Sequence, residues 1–221
     1  NNADPYVAGL GDEITSSFTV DDTVDATPTA TIQSQTATVA VAGAHPNYTA
    51  KYTMLVTDTE GAVSFTIDFN DEAGNAATQV TAVTDASSVT YDRTAPTATA
   101  VSIASNNATT TVAKSGDEIT VSFTVSDNVD ATPTATIQTQ AATVAVDGAH
   151  PNYTAKYTMN GTDTEGAVAF TIDFSDEAGN AATQVTAVTD ATSVTYDRTA
   201  PAATAVSIAS NNANTSTATT G

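Results

Sequence analysis

Oxygen ligands gather in two short acidic stretches of this chain, Asp127-Asn128-Val-Asp130 and Asp176-Glu177-Ala-Gly-Asn180. Ca²⁺ binds roughly six to eight hard oxygens from carboxylates, amide carbonyls, backbone and water. Folded so that the two stretches share one pole, they form a candidate Ca²⁺ site with Asp92, which stands just ahead of Pro96. Asp58 and Glu60, on a turn half a domain earlier, face the same place from the other side. The competing reading is that these are solvated acidic loops in which Asp and Asn serve turn geometry. Both readings stand on the sequence.

Other chemistry is poorly supplied. His45 and His150 each precede a proline, with no Cys or second His nearby, so they read as surface turn residues and not as transition-metal ligands. Lys156 points outward between the inward Ala155 and Tyr157, which argues against a crosslink to a core asparagine. There is no Ser/His/Asp arrangement, glycine-rich phosphate loop or concave carboxylate pair, so an enzyme is not expected. Thr-rich outward faces reflect strand propensity before any ice-binding role. Sequons begin at Asn47, Asn107, Asn152, Asn160 and Asn214 and matter only in a source that glycosylates asparagine.

The elements that position these residues are set by an internal repeat. Gly11-Asp-Glu-Ile-Thr15, His45-Pro-Asn-Tyr48 and Asp71-Glu-Ala-Gly-Asn75 all return 105 positions later, and residues 11–96 differ from 116–201 at 11 of 86 positions. Near-identical sequences take one fold, so the chain reads as two neighbouring units. In the second copy Ile119, Val121, Phe123 and Val125 alternate with polar residues, the period of a half-buried strand. Further strands are expected over 134–138, 142–146 with Val144 and Val146 inward, 153–159, 167–174 with Val168, Phe170, Ile172 and Phe174 inward, and 183–196. Residues 97–105 open the unit as another strand, with Val101 and Ile103 on one face. Seven short strands in about 100 residues fit an immunoglobulin-like sandwich, here with no Trp and no disulfide. The fold expected is therefore all-β, two tandem seven-strand immunoglobulin-like sandwiches, with 1–96 as the first unit and 97–201 as the second. Asp92-Arg-Thr-Ala-Pro96 forms a stiff link between them.

Composition narrows the partners. The net charge of −20, from 25 acidic and 5 basic residues, disfavours nucleic acid and anionic membrane, both of which need clustered Lys and Arg. No apolar run approaches a membrane span, no Cys reports a redox compartment, and the opening Asn1-Asn-Ala-Asp-Pro is not a signal peptide. The sequence reads as a mature or excised piece.

Asp176-Glu-Ala-Gly-Asn180, then Ser193-Val-Thr-Tyr-Asp-Arg-Thr-Ala-Pro201 and Val206-Ser-Ile-Ala-Ser-Asn-Asn212, resemble the tandem bacterial immunoglobulin-like repeats of long surface adhesins. The resemblance covers the whole chain. It implies an extracellular or cell-surface location and an extender role, with repeats holding a tip away from the cell and many of them stiffened by Ca²⁺. The leading expectation is thus a structural spacer or fibre whose partners are neighbouring copies of the repeat, head to tail. The alternative is an adhesin module that recognises a glycan or protein.

The ends carry one more expectation. On the 105-residue period the first unit starts just after the place of its own opening strand, while 202–221 contains such a strand, with Val206 and Ile208 inward, and no domain behind it. Either copies exchange strands head to tail, or the segment comes from a longer array. Ser16 stands where Val121 points inward, beside the missing strand.

Overall fold

The computed structural model describes residues 4–43 and 45–211, which hold strands, turns and no helix. The first half contains β1 (Val7–Ala8), β2 (Glu13–Thr19), β3 (Thr29–Ile32), β4 (Gln35–Thr36), β5 (Thr38–Val41), β6 (Asn47–Thr53), β7 (Gly61–Ala62), β8 (Phe65–Asp68) and β9 (Thr90–Tyr91). The second contains β10 (Ala98–Ser105), β11 (Val112–Ala113), β12 (Glu118–Val125), β13 (Thr134–Ile137), β14 (Gln140–Ala141), β15 (Thr143–Val146), β16 (Asn152–Thr158), β17 (Gly166–Ala167), β18 (Phe170–Asp173) and β19 (Thr195–Tyr196). The protein is all-β, with two repeated sheet-rich regions of about 100 residues that are broadly sandwich-like.

Alternation along β12 organises the second region. Its odd positions, from Ile119 to Val125, are buried, and its even positions are half-buried. β10 pairs with one edge of β12 and β16 with the other, giving the antiparallel order β10-β12-β16-β15. Across the core lies β14-β13-β18, whose Ala135, Ile137, Phe170 and Ile172 pack against Val121, Phe123 and Ala155. Phe123 stacks on Tyr153 at 5.6 Å. A third small sheet sets β11 parallel to β19 and β17 antiparallel to it. Tyr196 is fully buried there, and its hydroxyl donates to the Asn160 carbonyl at 2.7 Å, so the ring is sequestered without orphaning its polar end.

The first region repeats these registers, Ile14 facing Tyr52 as Ile119 faces Tyr157. It differs at one edge. Its main sheet is only β2-β6-β5, and among the described residues no strand lies outside β2. In consequence Ile14, Ser16 and Phe18 are half-buried where Ile119, Val121 and Phe123 are buried. A groove of about 1030 Å³ runs beside them, walled on its far side by residues 80–89.

Several expectations need correction. The single strand over 183–196 reduces to β19, preceded by isolated bridges of Val185 to Ile172 and Ala181 to Ser175. The cause is local: the Asp190 carboxylate accepts from the Thr192 amide and hydroxyl, and the chain turns through Ala191 at φ 63°. The strand over 167–174 splits as it changes sheet, β17 pairing with β19 and β18 with β13. Val146, expected inward, is 50% exposed at the end of β15. The two-residue strands β1, β4, β11 and β14 are too short to leave a periodic signal. Residues 98–105 form the expected strand, with Val101 and Ile103 buried and a register shift between Thr99 and Ser102. Residues 202–210 form none, and 1–3 and 212–221 of the expected end segments lie outside the described residues.

The unequal cover on β2 and β12 gives a measurable asymmetry. Ile119→Ala opens a cavity in a closed core and should cost about 2–5 kcal/mol. Ile14→Ala, at a half-buried site beside the groove, should cost roughly half of that or less. Urea unfolding of the two variants compares them, and equal losses would contradict the description of the first core as open.

Candidate metal centre

The junction is assembled from three segments, each fixed by its own backbone. After β9 the Asp92 amide donates to the Ala8 carbonyl at 2.9 Å, and one Asp92 carboxylate oxygen accepts from the Thr94 amide at 2.8 Å. After β12, Asp127 accepts from the Asn128 amide at 2.7 Å. Ser126 clamps the incoming chain: its amide donates to the Thr97 carbonyl and its hydroxyl accepts from the Thr97 amide, both at 2.9 Å. After β18, Asp176 closes a turn in which it accepts from the amide and side-chain nitrogens of Asn180, at 2.8 and 3.0 Å. Gly179 carries φ 83° in that turn, a conformation that favours glycine.

These segments bring Asp92, Asp127 and Asp176 together, with one carboxylate oxygen from each lying within 4.8 Å of the others. At Ca–O distances of roughly 2.3–2.6 Å, ligands of one ion lie no more than about 5 Å apart, so the spacing suits a hard divalent cation. Asn180 ties the turn to the link through its side-chain nitrogen, which donates to the Asp92 carbonyl at 3.2 Å. Asp176 is only 1% exposed. Burial pushes the Asp92 carboxyl above the usual carboxylate range, against the pull of the Thr94 amide, and the charges of Asp176, Asp127 and Glu60 push it further.

The remaining candidates fall outside this trio. Glu60 straps the preceding turn to the link, one oxygen accepting from the Arg93 amide and the Thr94 hydroxyl at 2.8 Å each. Those hydrogen bonds, the Arg93 amide first, hold its carboxyl below the ordinary range. Asp58 is buried in its own turn and accepts from the Tyr52 hydroxyl and the Leu55 amide, as Asp163 does from Tyr157 and Asn160. Asn128 meets Glu177 at 3.5 Å, and Asp130 is exposed while its amide donates to the Ser175 carbonyl. His45 and His150 pack edge-on against Tyr48 and Tyr153, and Lys156 pairs with Glu118 at the surface. The described residues form no catalytic arrangement, and they include no helix long and apolar enough to cross a membrane.

Sequence reasoning missed Gly9. The first region presses this residue against the 176–180 turn so closely that a Cβ built on it would lie 2.1 Å from the Ala178 carbonyl oxygen. Ala178 is 8% exposed, whereas Ala73, its counterpart in the first copy, is exposed. The signal lay in extending the comparison of the copies a few residues toward the N-terminus, where Gly9 aligns with Lys114.

No protein-family model and no curated protein matches the sequence. Among solved structures, the chain is similar to SGBP-B of the Bacteroides ovatus mixed-linkage glucan utilization locus, solved in complex with a mixed-linkage heptasaccharide. The identity is 16% and the TM-score 0.26, over 90% of this chain and 44% of that one. It is also similar to the D00-D0 domain of intimin, at 17% identity and a TM-score of 0.29, over 82% of this chain and 95% of that one. The chain spans less than half of the first of these, and overlaps this slight carry no argument about function.

The close approach at Gly9 has a direct test. Gly9→Ala should leave both cores folded but force the 176–180 turn away, so the two halves tumble more independently. Amide relaxation by NMR reads this as a fall in rotational correlation time, and an unchanged value would show that the contact does not set the junction.

Proposed function

We propose that the chain is a non-enzymatic extracellular module of the adhesin kind. Its two units are immunoglobulin-like sandwiches that act as a spacer, and Ca²⁺ at their junction stiffens the link. The observation that carries this reading is the trio Asp92, Asp127 and Asp176, one residue from the link and two from the second unit, with oxygens within 4.8 Å of one another. Three carboxylates so close repel one another, and a divalent cation converts that repulsion into attraction across the link. The Glu60 strap, the Ser126 clamp and the Gly9 contact then define the geometry that the ion would hold.

A second reading, a ligand-binding adhesin module recognising a glycan or protein, is favoured by the apolar groups the first unit leaves in solvent. Tyr6, Leu10, Leu55 and Val56 are all exposed, and an exposed Tyr is a common anchor at recognition surfaces. A glycan array and a cell-adhesion assay separate the readings: specific binding that is lost in Tyr6→Ala would favour the second.

Two outcomes test the calcium reading. Calcium at about 100 times its dissociation constant should stabilise the chain by about 2.7 kcal/mol, roughly 5–10 °C in Tm, and narrow the interdomain distances seen by X-ray scattering. No change in either on adding chelator would remove calcium from the account. Asp92→Asn should abolish this response and yet raise Tm in chelator at neutral pH, because it deletes one of the repelling charges. Folded Asp92 has a raised pKa, so its contribution is fully present below the ordinary value of about 3.9 and is lost as pH rises through the folded value. In chelator the Tm of the unmodified chain should therefore fall further below that of Asp92→Asn as pH rises from acid to neutral.

A further inference from the structure

The second unit shows what fits the groove of the first. There β10 lies against the free edge of β12 with Ile103 opposite Val121, Ser102 opposite Ser122 and Ser105 opposite Ile119. Its other edge is held by the 189–192 turn: the Thr189 amide donates to the Val101 carbonyl at 2.8 Å, and the Thr192 hydroxyl accepts from the Ile103 amide at 2.9 Å. The first unit presents the same fittings with nothing described between them. Thr84 and Ser87, the counterparts of Thr189 and Thr192, line the groove opposite Ser16 and Phe18. Ser87 is already oriented as Thr192 is, its hydroxyl donating to Asp85 at 2.7 Å as that of Thr192 donates to Asp190, which leaves the oxygen ready to accept.

The matching strand also exists in this chain. Residues 203–210 repeat 98–105 letter for letter, Ala-Thr-Ala-Val-Ser-Ile-Ala-Ser. In the second unit Val101 and Ile103 are 1% and 5% exposed, whereas Val206 and Ile208 are 87% and 99% exposed and belong to no strand. We propose that residues 203–210 of one copy enter the groove of a second copy, pairing antiparallel with β2 and seating Val206 and Ile208 over Ile14, Ser16 and Phe18. The occupant is a second copy of this chain. Placed in the register of β10, Ile208 faces Ser16, Ser207 faces Ser17 and Ser210 faces Ile14. The contact joins two different surfaces, so it propagates head to tail as an open chain and does not close as a dimer.

The inference goes beyond the spacer reading and does not use calcium, so its test is run in chelator. Sedimentation of the full chain over a concentration series should show open-ended association. Val206→Asp with Ile208→Asp, both at exposed positions where folding is not at stake, should weaken that association by about a hundredfold or more. A synthetic peptide of residues 203–210 should cap the assembly and protect the β2 amides from hydrogen exchange, while the peptide carrying the same two aspartates should do neither. Three results overturn the proposal. The first is a chain that stays monomeric with unprotected β2 amides in the presence of peptide. The second is association unaffected by the double substitution, which would assign it to another surface. The third is a monomer whose β2 amides are protected until Val206 and Ile208 are replaced, which would mean that the tail closes the groove of its own molecule.

Discussion

The inner face of a β-strand must be covered, and in this fold the demand falls on one strand per unit. β12 meets it with β10 on its free edge, and Ile119, Val121, Phe123 and Val125 are then closed from water. β2 has nearly the same sequence and the same partner, β6, on its other edge, yet its inner residues stay half-exposed. The two units therefore compare one sheet with and without its fourth strand, at almost constant sequence. The difference reaches the opposite wall, where Phe170 and Val194 are buried but their counterparts Phe65 and Val89 are only half-buried. Close packing transmits the loss of one strand through the thickness of a unit.

At the junction a second constraint opposes the first. Burying the 176–180 turn against the first unit draws three carboxylates together in a partly dry space, where repulsion is stronger than in water. The surrounding hydrogen bonds divide the load unevenly. Asp176 and Glu60 are supplied with donors, whereas Asp92 has one amide against three neighbouring negative charges. Strain of this electrostatic kind is released by a cation, by a proton, or by the halves moving apart.

Much of this was legible in the sequence. The repeat, the alternation on β12, β16 and β18, and the loops that carry Asp127 and Asp176 follow from periodicity and turn residues, which are local signals. What was not legible depends on contacts distant in sequence. Asp58 has the composition of a ligand, but the Tyr52 hydroxyl and the Leu55 amide take up its oxygens. Residues 183–194 have the alternation of a strand, but the Asp190 turn and the grip on β10 hold them irregular. Ser16 stands out in the sequence as an inward polar residue, whereas nothing local reveals that Thr192, where the first copy has Ser87, holds β10.

Gly9 distinguishes this junction from one built on the corresponding position of the second unit. In the second unit its place is taken by Lys114, whose backbone makes the same turn: the Lys114 amide donates to Asp117 as the Gly9 amide donates to Asp12. A unit following the second would meet a side chain where the first offers bare backbone, and it could not approach as closely. A joint formed there would be looser than the one at Gly9. Stiffness along such repeats is set joint by joint, by whether a side chain or bare backbone faces the turn of the next unit.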